Sequence, residues 1–356
     1  MSEAITTRAP GKLYIAGEYA VVESGQPAIL IAVDRFMTVS LRPAKSYGLI
    51  RSLGSAFDTV YWRHENGAPV FDDFGQDYVA NAIRVVEQLR EERHLPARHY
   101  AIDITSGLVE DDGRKYGLGS SAAVTVAIVD ALNQFYELSL DDIERLKLAL
   151  IAVLGRAPRA SGGDVAASTL GGWISYTSPD RAGIMAVASE GSIAAALECP
   201  AWEPFSVRRL PAPAREEIVV GWTGSPASTE HLVSGVQARS HGAYFPGFLE
   251  ESAAVVSKIA AALRGGEAIG DLISQARSLL RTLGETSGIR IETPLLRELC
   301  DIAERNGASA KSSGAGGGDC GIAFVPREAG RLTAIREQWV GASISSLDMA
   351  VWERGQ

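Results

Sequence analysis

The sequence predicts an α+β protein of two domains, on the strength of three observations. Strand-like and helix-like segments follow one another along the chain without a long internal repeat. The chain has 356 residues, which is more than one small core normally holds. Residues 178–215 are rich in Pro, Ala and Ser, and helical periodicity dominates after them. We therefore expect an N-terminal domain at 1–200 and a C-terminal domain at 201–356.

The first domain is expected to mix strands and helices. Alternating apolar residues indicate strands, apolar residues three or four apart indicate helices, and Gly or Pro marks turns. In chain order these patterns predict a short strand with a turn at Pro10 and Gly11, a strand at 28–41, a helix at 76–93, a strand at 100–105, a helix capped by Ser120 or Ser121, a helix from a capping box at 139–142 to about Leu154, a helix from Asp164 and a strand at 171–176.

The second domain is expected to be richer in helix. Its strands are short, and long stretches carry apolar residues at helical spacing. The patterns predict a strand at 218–222, helices at 229–240, 247–264, 268–284 and 292–306, and strands at 308–311, 320–325 and 344–351.

The composition argues against some classes of binding partner. A net charge of −9 argues against nucleic acid, which usually binds a basic face. No apolar signal core is seen at residues 1–10, and no apolar run approaches the ~20 residues that cross a bilayer. Three widely spaced cysteines form no disulfide or metal pattern. We expect a cytoplasmic protein, monomer or homodimer, that acts on small molecules and not at a membrane.

Residues 115–123, KYGLGSSAA, combine a lysine, two glycines and two hydroxyls with the start of a helix. Gly117 and Gly119 let the backbone turn tightly, and a helix start leaves N–H groups unpaired at the positive end of its dipole. Such a site binds anions, most often phosphate. Neither this stretch nor a second glycine-rich loop at 312–319 fits the P-loop or dinucleotide patterns. Merely flexible loops are the alternative interpretation.

Lysine placement supports the phosphate interpretation. Only six of the 34 basic residues are lysines, and Lys12, Lys115 and Lys311 lie in or beside glycine-rich stretches. Lysine is a compact charge that arginine does not replace freely at a tight phosphate site. Two such loops suggest two anionic ligands, and phosphoryl transfer needs mainly charge placement. Lys12 is the best cation and Asp164 the best carboxylate for it, although an ordinary helix cap is the alternative for Asp164.

Three segments resemble, in order, the signature motifs of the GHMP kinase superfamily. They are APGKLYIAGEYAV at 9–21, GLGSSAA at 117–123 and KSSGAGGGD at 311–319, and they span nearly the whole chain. The GEYA form of the first motif, GWTG at 221–224 and the KSS start of the third look most like the bacterial phosphomevalonate kinases. The resemblance implies a ribosomal-protein-S5-like N-terminal domain and a ferredoxin-like C-terminal domain. It also implies ATP-dependent phosphorylation of 5-phosphomevalonate to 5-diphosphomevalonate, in the mevalonate route to isoprenoids.

The resemblance assigns expected roles to individual residues. Lys12 and Asp164 match catalytic residues. The residues expected to bind the ATP phosphates are Lys115, Gly117, Leu118, Gly119, Ser120, Ser121 and Ala122. The residues expected on the substrate side are Lys12, Tyr19, Ser225, Ser228, Lys311, Ser313, Gly314, Ala315, Gly316 and Gly317. The adenine pocket is not located by the motifs, and residues 72–81 are a candidate segment for it.

One position departs from the mevalonate kinase pattern. Mevalonate kinase carries a magnesium-binding Glu a short way before its catalytic Asp, and Val153 stands at that position here. We therefore expect Mg²⁺ to rest on ATP oxygens and on one hydroxyl, that of Ser120 or Ser121. Two alternatives stay open: a kinase for mevalonate, homoserine or a sugar, and a catalytically silent relative that senses ATP or a metabolite.

Overall fold

Two β-sheets with helices packed against them form the described part of the chain. The computed structural model describes residues 4–53, 59–72, 77–110, 112–225, 229–239, 244–327 and 330–355. Within these residues, eight strands form the first sheet and four form the second. The predicted α+β class is confirmed.

The first sheet and its helices are built from the first 210 residues. In chain order the elements are β1 (Ile5–Ala16), β2 (Pro27–Pro43), β3 (Gly48–Leu53), β4 (Val60–Glu65), β5 (Ala68–Phe71), α1 (Tyr78–Glu92), β6 (Tyr100–Ser106), α2 (Ser120–Phe135), α3 (Asp142–Arg156), α4 (Gly163–Leu170), β7 (Trp173–Thr177), α5 (Arg181–Ser189), α6 (Ile193–Glu198) and β8 (Ser206–Leu210). The strand order is β5-β4-β3-β6-β2-β7-β8, and β1 pairs with β2. Because β8 pairs with β7, the first sheet extends past the expected division at residue 200.

The second sheet carries the remaining helices. Its elements are β9 (Glu216–Trp222), α7 (Thr229–Arg239), α8 (Tyr244–Gly265), α9 (Gly270–Ser287), α10 (Pro294–Arg305), β10 (Ser309–Ser312), β11 (Cys320–Pro326), α11 (Arg331–Gly341) and β12 (Ser345–Leu347). The strand order is β10-β11-β9-β12, and all three pairings are antiparallel. Sequence periodicity missed α11, because only Ile335 and Trp339 of this helix are buried. No helix of the described ranges has the length and apolar character needed to cross a bilayer.

The expected turn at Pro10 and Gly11 is wrong, since β1 runs through both residues as one long strand. The register shifts between them, with Pro10 opposite Phe36 and Gly11 opposite Val33, so the two extra residues of this β-bulge, Asp34 and Arg35, lie in β2. A Cβ on Gly11 would lie 3.0 Å from the Cβ of Leu118. The Pro-Gly signal therefore marks a close approach of β1 to the stretch at 115–123.

The helix caps also differ from the prediction. Gly119, in the left-handed conformation with φ 80°, is the N-cap of α2, so Ser120 and Ser121 lie in the first turn. The capping box of α3 is formed by Asp141 and Glu144 and does not use Ser139. The hydroxyls of the two serines of α2 are thus not occupied as caps.

The segment after β12 returns to the first sheet. The predicted strand at 344–351 is shorter than expected, and residues 350–354 form backbone hydrogen bonds with the first domain. The Trp352 N–H donates to the carbonyl of Ala32 at 3.0 Å, and the Gly172 N–H donates to the carbonyl of Trp352 at 2.7 Å. The Arg354 guanidinium donates to the carbonyl of Thr169, near the end of α4. This return segment therefore connects α4 to β2.

A buried polar cluster holds α1 to the first sheet. The carboxylate of Glu87, with no exposed surface, accepts hydrogen bonds from Tyr100 at 2.9 Å, Tyr136 at 2.8 Å and Arg90 at 3.0 Å, and bonds to His64 at 2.9 Å. Burial acts to raise the pKa of Glu87, but the hydrogen bonds from His64 and the two tyrosines outweigh burial and hold the pKa below its ordinary value.

The substitution Glu87→Gln is expected to lower the free energy of unfolding at pH 7 by about 2–3 kcal/mol, because charged hydrogen bonds are lost. A lowered native pKa stabilises the fold above the unfolded pKa, and this contribution fades as pH falls through the native pKa. The deficit of the variant should therefore persist from pH 7 to about pH 5 and shrink only as the pH falls below about 4 in urea unfolding. Glu203→Gln, at an exposed position, is the control, and a deficit independent of pH would contradict the assignment.

Candidate functional site

A cavity of about 450 Å³ opens between the two domains. Its size is typical of sites for small molecules. The lining comes from β1, the starts of α2 and α4, the loop after α3, helix α7 and the loop between β10 and β11. The lining includes Lys12, Tyr14, Glu18, Tyr19, Lys115, Gly117, Gly119, Ser120, Ser121, Val153, Arg159, Ser161, Asp164, Ser234, Ser313, Gly314, Ala315 and Asp319.

Lys12 lies on β1, next to the register shift, where that strand contacts the glycine stretch. Its backbone N–H donates to the carbonyl of Leu118 at 2.9 Å. Its Nζ donates to the carbonyl of Gly117 at 3.2 Å and lies 5.6 Å from the ring centroid of Tyr14. The side chain is only 9% exposed. The ammonium is therefore held in place beside the start of α2, and it remains open to the cavity.

Asp164 lies in the first turn of α4, after a left-handed Gly162 that acts as N-cap. It is therefore not the cap that its position suggested, and its Oδ1 accepts from the N–H of Val165 at 3.0 Å. Burial raises the pKa of Asp164, and the neighbouring charge of Lys12 opposes that shift. A Cβ added to Gly119 would lie 3.0 Å from Lys12 Cε and 3.7 Å from Asp164 Cβ. The first motif, the glycine stretch and the start of α4 thus meet at one point.

Most of the residues expected to bind the ATP phosphates line the cavity. Lys115, Gly117, Gly119, Ser120 and Ser121 line the cavity. The two other expected members, Leu118 and Ala122, are buried beneath it and do not line it. The start of α2 faces the cavity, so its first N–H groups and dipole favour an anion there.

The second glycine loop contributes less to the lining than expected. Ser313, Gly314 and Ala315 line the cavity, whereas Gly316 and Gly317 do not. The Ser313 hydroxyl accepts from the N–H of Tyr14 and donates to its carbonyl, both at 2.9 Å. Ser313 therefore joins the second domain to β1.

Lys311 does not reach the cavity. It is completely buried, and its ammonium forms a salt bridge with Glu18 and donates to the carbonyl of Ser312 at 2.7 Å. Glu18 also accepts from the N–H of Gly314 at 3.4 Å. This buried pair connects the first motif to the start of the glycine loop.

Tyr19 lies at the cavity wall in a strained conformation, with φ 64°. Its hydroxyl donates to the carbonyl of Ala315 at 2.5 Å. Burial raises the pKa of this hydroxyl, which keeps it a donor. Ser225 is exposed and is not among the lining residues, although its carbonyl accepts from the N–H of Asp319 at 2.9 Å. Ser228 lies outside the described residues.

Several lining residues were not predicted as site residues. They are Tyr14, Glu18, Arg159, Ser161, Ser234 and Asp319. Glu18 and Asp319 stand inside the signature motifs, so the motifs offered a signal for them. Of the candidate adenine segment, Tyr78 lines the cavity, and residues 73–76 lie outside the described part.

Gly117 fits closely against the second domain, and this suggests a direct test. A Cβ on Gly117 would lie 2.4 Å from Cγ and 2.6 Å from Cβ of buried Asp319. Gly113 has a similar positive φ, 86° against 81°, but a Cβ there meets nothing within 4 Å. Both Ala variants carry the same backbone strain, so Gly117→Ala should cost about 1–3 kcal/mol more stability through overpacking. Thermal unfolding and kinase activity measure this, and equal effects of the two variants would contradict it.

Comparison with known proteins agrees with the fold and with the motifs. The GHMP kinases N terminal domain matches residues 77–172, and the GHMP kinases C terminal family matches residues 259–340. The phosphomevalonate kinase of Streptomyces sp. strain CL190 is 43% identical, over 97% of this chain and 96% of the relative. The mevalonate kinase of Thermococcus gammatolerans is 30% identical, over 91% of this chain and 90% of the relative.

Solved structures give the same assignment. A Lin0012 protein from Listeria innocua matches with a TM-score of 0.92 and 33% identity, over 99% of this chain and 98% of that one. Phosphomevalonate kinase of Streptococcus pneumoniae, in complex with phosphomevalonate and AMPPNP, matches with a TM-score of 0.85 and 30% identity, over 99% of this chain and 100% of that one. The chain belongs to the GHMP kinases and has their two-domain fold.

Proposed function

We propose that this protein transfers the γ-phosphoryl group of ATP to 5-phosphomevalonate, giving 5-diphosphomevalonate and ADP. The observation that carries the proposal is the 43% identity to a phosphomevalonate kinase over nearly the whole of both chains. The cavity is consistent with it, since the start of α2 and the side chains of Lys12, Lys115 and Asp164 face one space. A reaction that joins two phosphate groups needs positive charge placed beside those groups.

Lys12 is proposed as the main catalytic cation. A phosphate oxygen of the acceptor forms a bond to the γ-phosphorus of ATP, and the bond to the oxygen bridging the β- and γ-phosphorus atoms breaks. Both ligands are anions, so the ammonium of Lys12 draws them together and stabilises the charge of the transferring group. Its bond to the Gly117 carbonyl fixes that charge before the substrates arrive.

Asp164 is proposed as the group that orients or accepts the acceptor's proton. A phosphate monoester is already largely ionised near neutral pH, so a strong base is not required. Burial raises the pKa of Asp164, which makes its carboxylate a better proton acceptor than an exposed one. The charge of Lys12, close by, opposes that shift.

ATP is proposed to place its phosphates at the start of α2, with Mg²⁺ as the metal. The S. pneumoniae relative binds AMPPNP together with phosphomevalonate. Mg²⁺ in such sites takes one or two protein oxygens and several phosphate oxygens. The half-buried hydroxyls of Ser120 and Ser121 fit this need, while Val153 provides no ligand. Within the described residues, no group of three His, Cys, Asp or Glu side chains is placed to hold a metal. When bound, Mg²⁺ neutralises charge on the ATP oxygens.

A panel of acceptors with coupled detection of ADP tests the proposal. The purified protein is given ATP with 5-phosphomevalonate, mevalonate, homoserine or a sugar. Turnover of 5-phosphomevalonate at least tenfold faster than the others is expected. Turnover of mevalonate but not of its phosphate would overturn the proposal, and ATP binding without ADP release for any acceptor would favour a sensor.

A cytoplasmic location and a monomeric or dimeric state are also proposed. The three cysteines, Cys199, Cys300 and Cys320, are free and buried, as expected of a protein in a reducing compartment.

A further inference from the structure

We propose that Arg159 binds the carboxylate group of the acceptor, at the end of the cavity away from the transferred phosphoryl group. The inference rests on the proposed function, because 5-phosphomevalonate carries a carboxylate at one end and a phosphate at the other. Nothing in the signature motifs includes Arg159. The assignment comes from its position, its free donors and the charges of the other lining residues.

Arg159 stands in the loop after α3 and lines the cavity with an exposed side chain. Its Nη1 donates to the hydroxyl of Ser234, on α7 of the other domain, at 3.3 Å. Among the residues that the structure describes, no carboxylate lies within salt-bridge distance of this guanidinium. A single long bond to a neutral hydroxyl leaves most of its five donors available to an incoming anion.

Hydrogen bonds from Arg181 hold the loop that carries Arg159. Nη1 of Arg181 donates to the carbonyl of Arg159 at 2.8 Å and to the carbonyl of Ala160 at 2.9 Å. The guanidinium of Arg181 also donates to the carbonyl of Val22, beside β1. The backbone of Arg159 is therefore held to the first domain, and its side chain starts from a defined point.

A continuous wall leads from Lys12 to Arg159. The Lys12 ammonium lies over the ring of Tyr14, whose hydroxyl is 2.8 Å from the hydroxyl of Ser161. Arg159 precedes Ser161 by two residues on the same loop, and its guanidinium contacts Ser234. The cavity lining also includes the apolar side chains of Val21, Val22, Ala160 and Val233. Such a wall suits the methyl and methylene carbons of a branched acid between two charged ends.

The other lining cations have tasks elsewhere in the cavity. Lys12 and Lys115 stand at the glycine stretch, where the two phosphates meet. Of the lining carboxylates, Glu18 is paired with buried Lys311. Arg159 is therefore the lining cation placed to receive a second anionic end. A guanidinium also binds a carboxylate through two parallel hydrogen bonds, which a lysine does not.

The test compares Arg159→Met with the wild type on two acceptors: 5-phosphomevalonate and its analogue with a carboxamide in place of the carboxylate. The variant should raise the KM for 5-phosphomevalonate about 10- to 100-fold, the usual range for a lost charged hydrogen bond. The KM for ATP and the KM for the carboxamide should change less than about twofold. The KM of Arg159→Lys for 5-phosphomevalonate should fall between those of the wild type and Arg159→Met, because lysine keeps the charge but not the two parallel donors of the guanidinium.

Arg208→Met, at an exposed position on β8 away from the cavity, is the matched control. An unchanged KM for 5-phosphomevalonate in Arg159→Met, or an equal rise for acid and amide, would overturn the carboxylate assignment while leaving the kinase proposal intact. A rise in the KM for ATP alone would place Arg159 at the nucleotide and overturn it too. A wild-type protein that does not turn over 5-phosphomevalonate would overturn the proposed function itself.

Discussion

Lys12→Ala is expected to lower kcat about 10²- to 10³-fold, the usual loss for one group that stabilises transition-state charge. The ammonium lies beside the start of α2 and is fixed by the carbonyl of Gly117. Because its charge acts mainly on the transferring phosphoryl group in the transition state, the KM for the acceptor should change less than the kcat does. Steady-state kinetics with 5-phosphomevalonate and ATP measure both.

Lys45→Ala is the control, since Lys45 is exposed and lies outside the cavity lining. Lys12→Arg tests geometry, because it keeps the charge but not the compact ammonium. A higher KM with unchanged kcat in Lys12→Ala would assign Lys12 to ground-state binding only. Lys12→Arg with full activity would show that charge suffices at this position.

Lys311→Met is expected to destabilise the fold by about 3–5 kcal/mol, because it leaves the carboxylate of Glu18 buried without a cation. Lys311 is 0% and Glu18 4% exposed, so water does not reach either group easily. The pair also lies between the first motif and Gly314. Urea unfolding measures the loss, and acceptor KM reports any displacement of the glycine loop.

The double variant Lys311→Met with Glu18→Gln separates pairing from size. Removing both charges should recover a large part of the loss, since no uncompensated charge stays buried. Lys258→Met is the control at an exposed lysine. Full stability of Lys311→Met combined with a raised acceptor KM would contradict the structural role. It would instead support the role in substrate binding that was expected from the sequence.

The meeting of Lys12, Asp164 and the glycine stretch could be predicted from sequence because each carries a local signature. Tight turns need glycine, and a phosphate loop needs a helix start, so both are visible along the chain. Burial is not visible in this way. A lysine beside a glycine loop looks the same whether it lines a cavity, as Lys115 does, or contacts a buried carboxylate, as Lys311 does.

The part of the cavity at Arg159 could not be predicted from the sequence for a different reason. Arg159 and Ser234 meet only because a loop of the first domain faces a helix of the second. Neither residue stands in a pattern with a period or a fixed spacing. Similarly, Pro10 and Gly11 carry a true turn signal, but pairing with β2 on both sides of them keeps β1 extended, and only the register shifts there.

The return of residues 350–354 to the first domain bears on how the protein is made. When a growing chain has left the ribosome as far as Leu210, the eight strands of the first sheet have been synthesised, but the carbonyl of Ala32 and the N–H of Gly172 still lack their partner Trp352. At about 5–20 residues per second, the ~140 residues that follow take on the order of ten seconds to synthesise. Arg354, which holds the carbonyl of Thr169 near the end of the helix carrying Asp164, arrives only then. The contacts of residues 350–354 with the first domain thus form late in translation, after most of the core has already been synthesised.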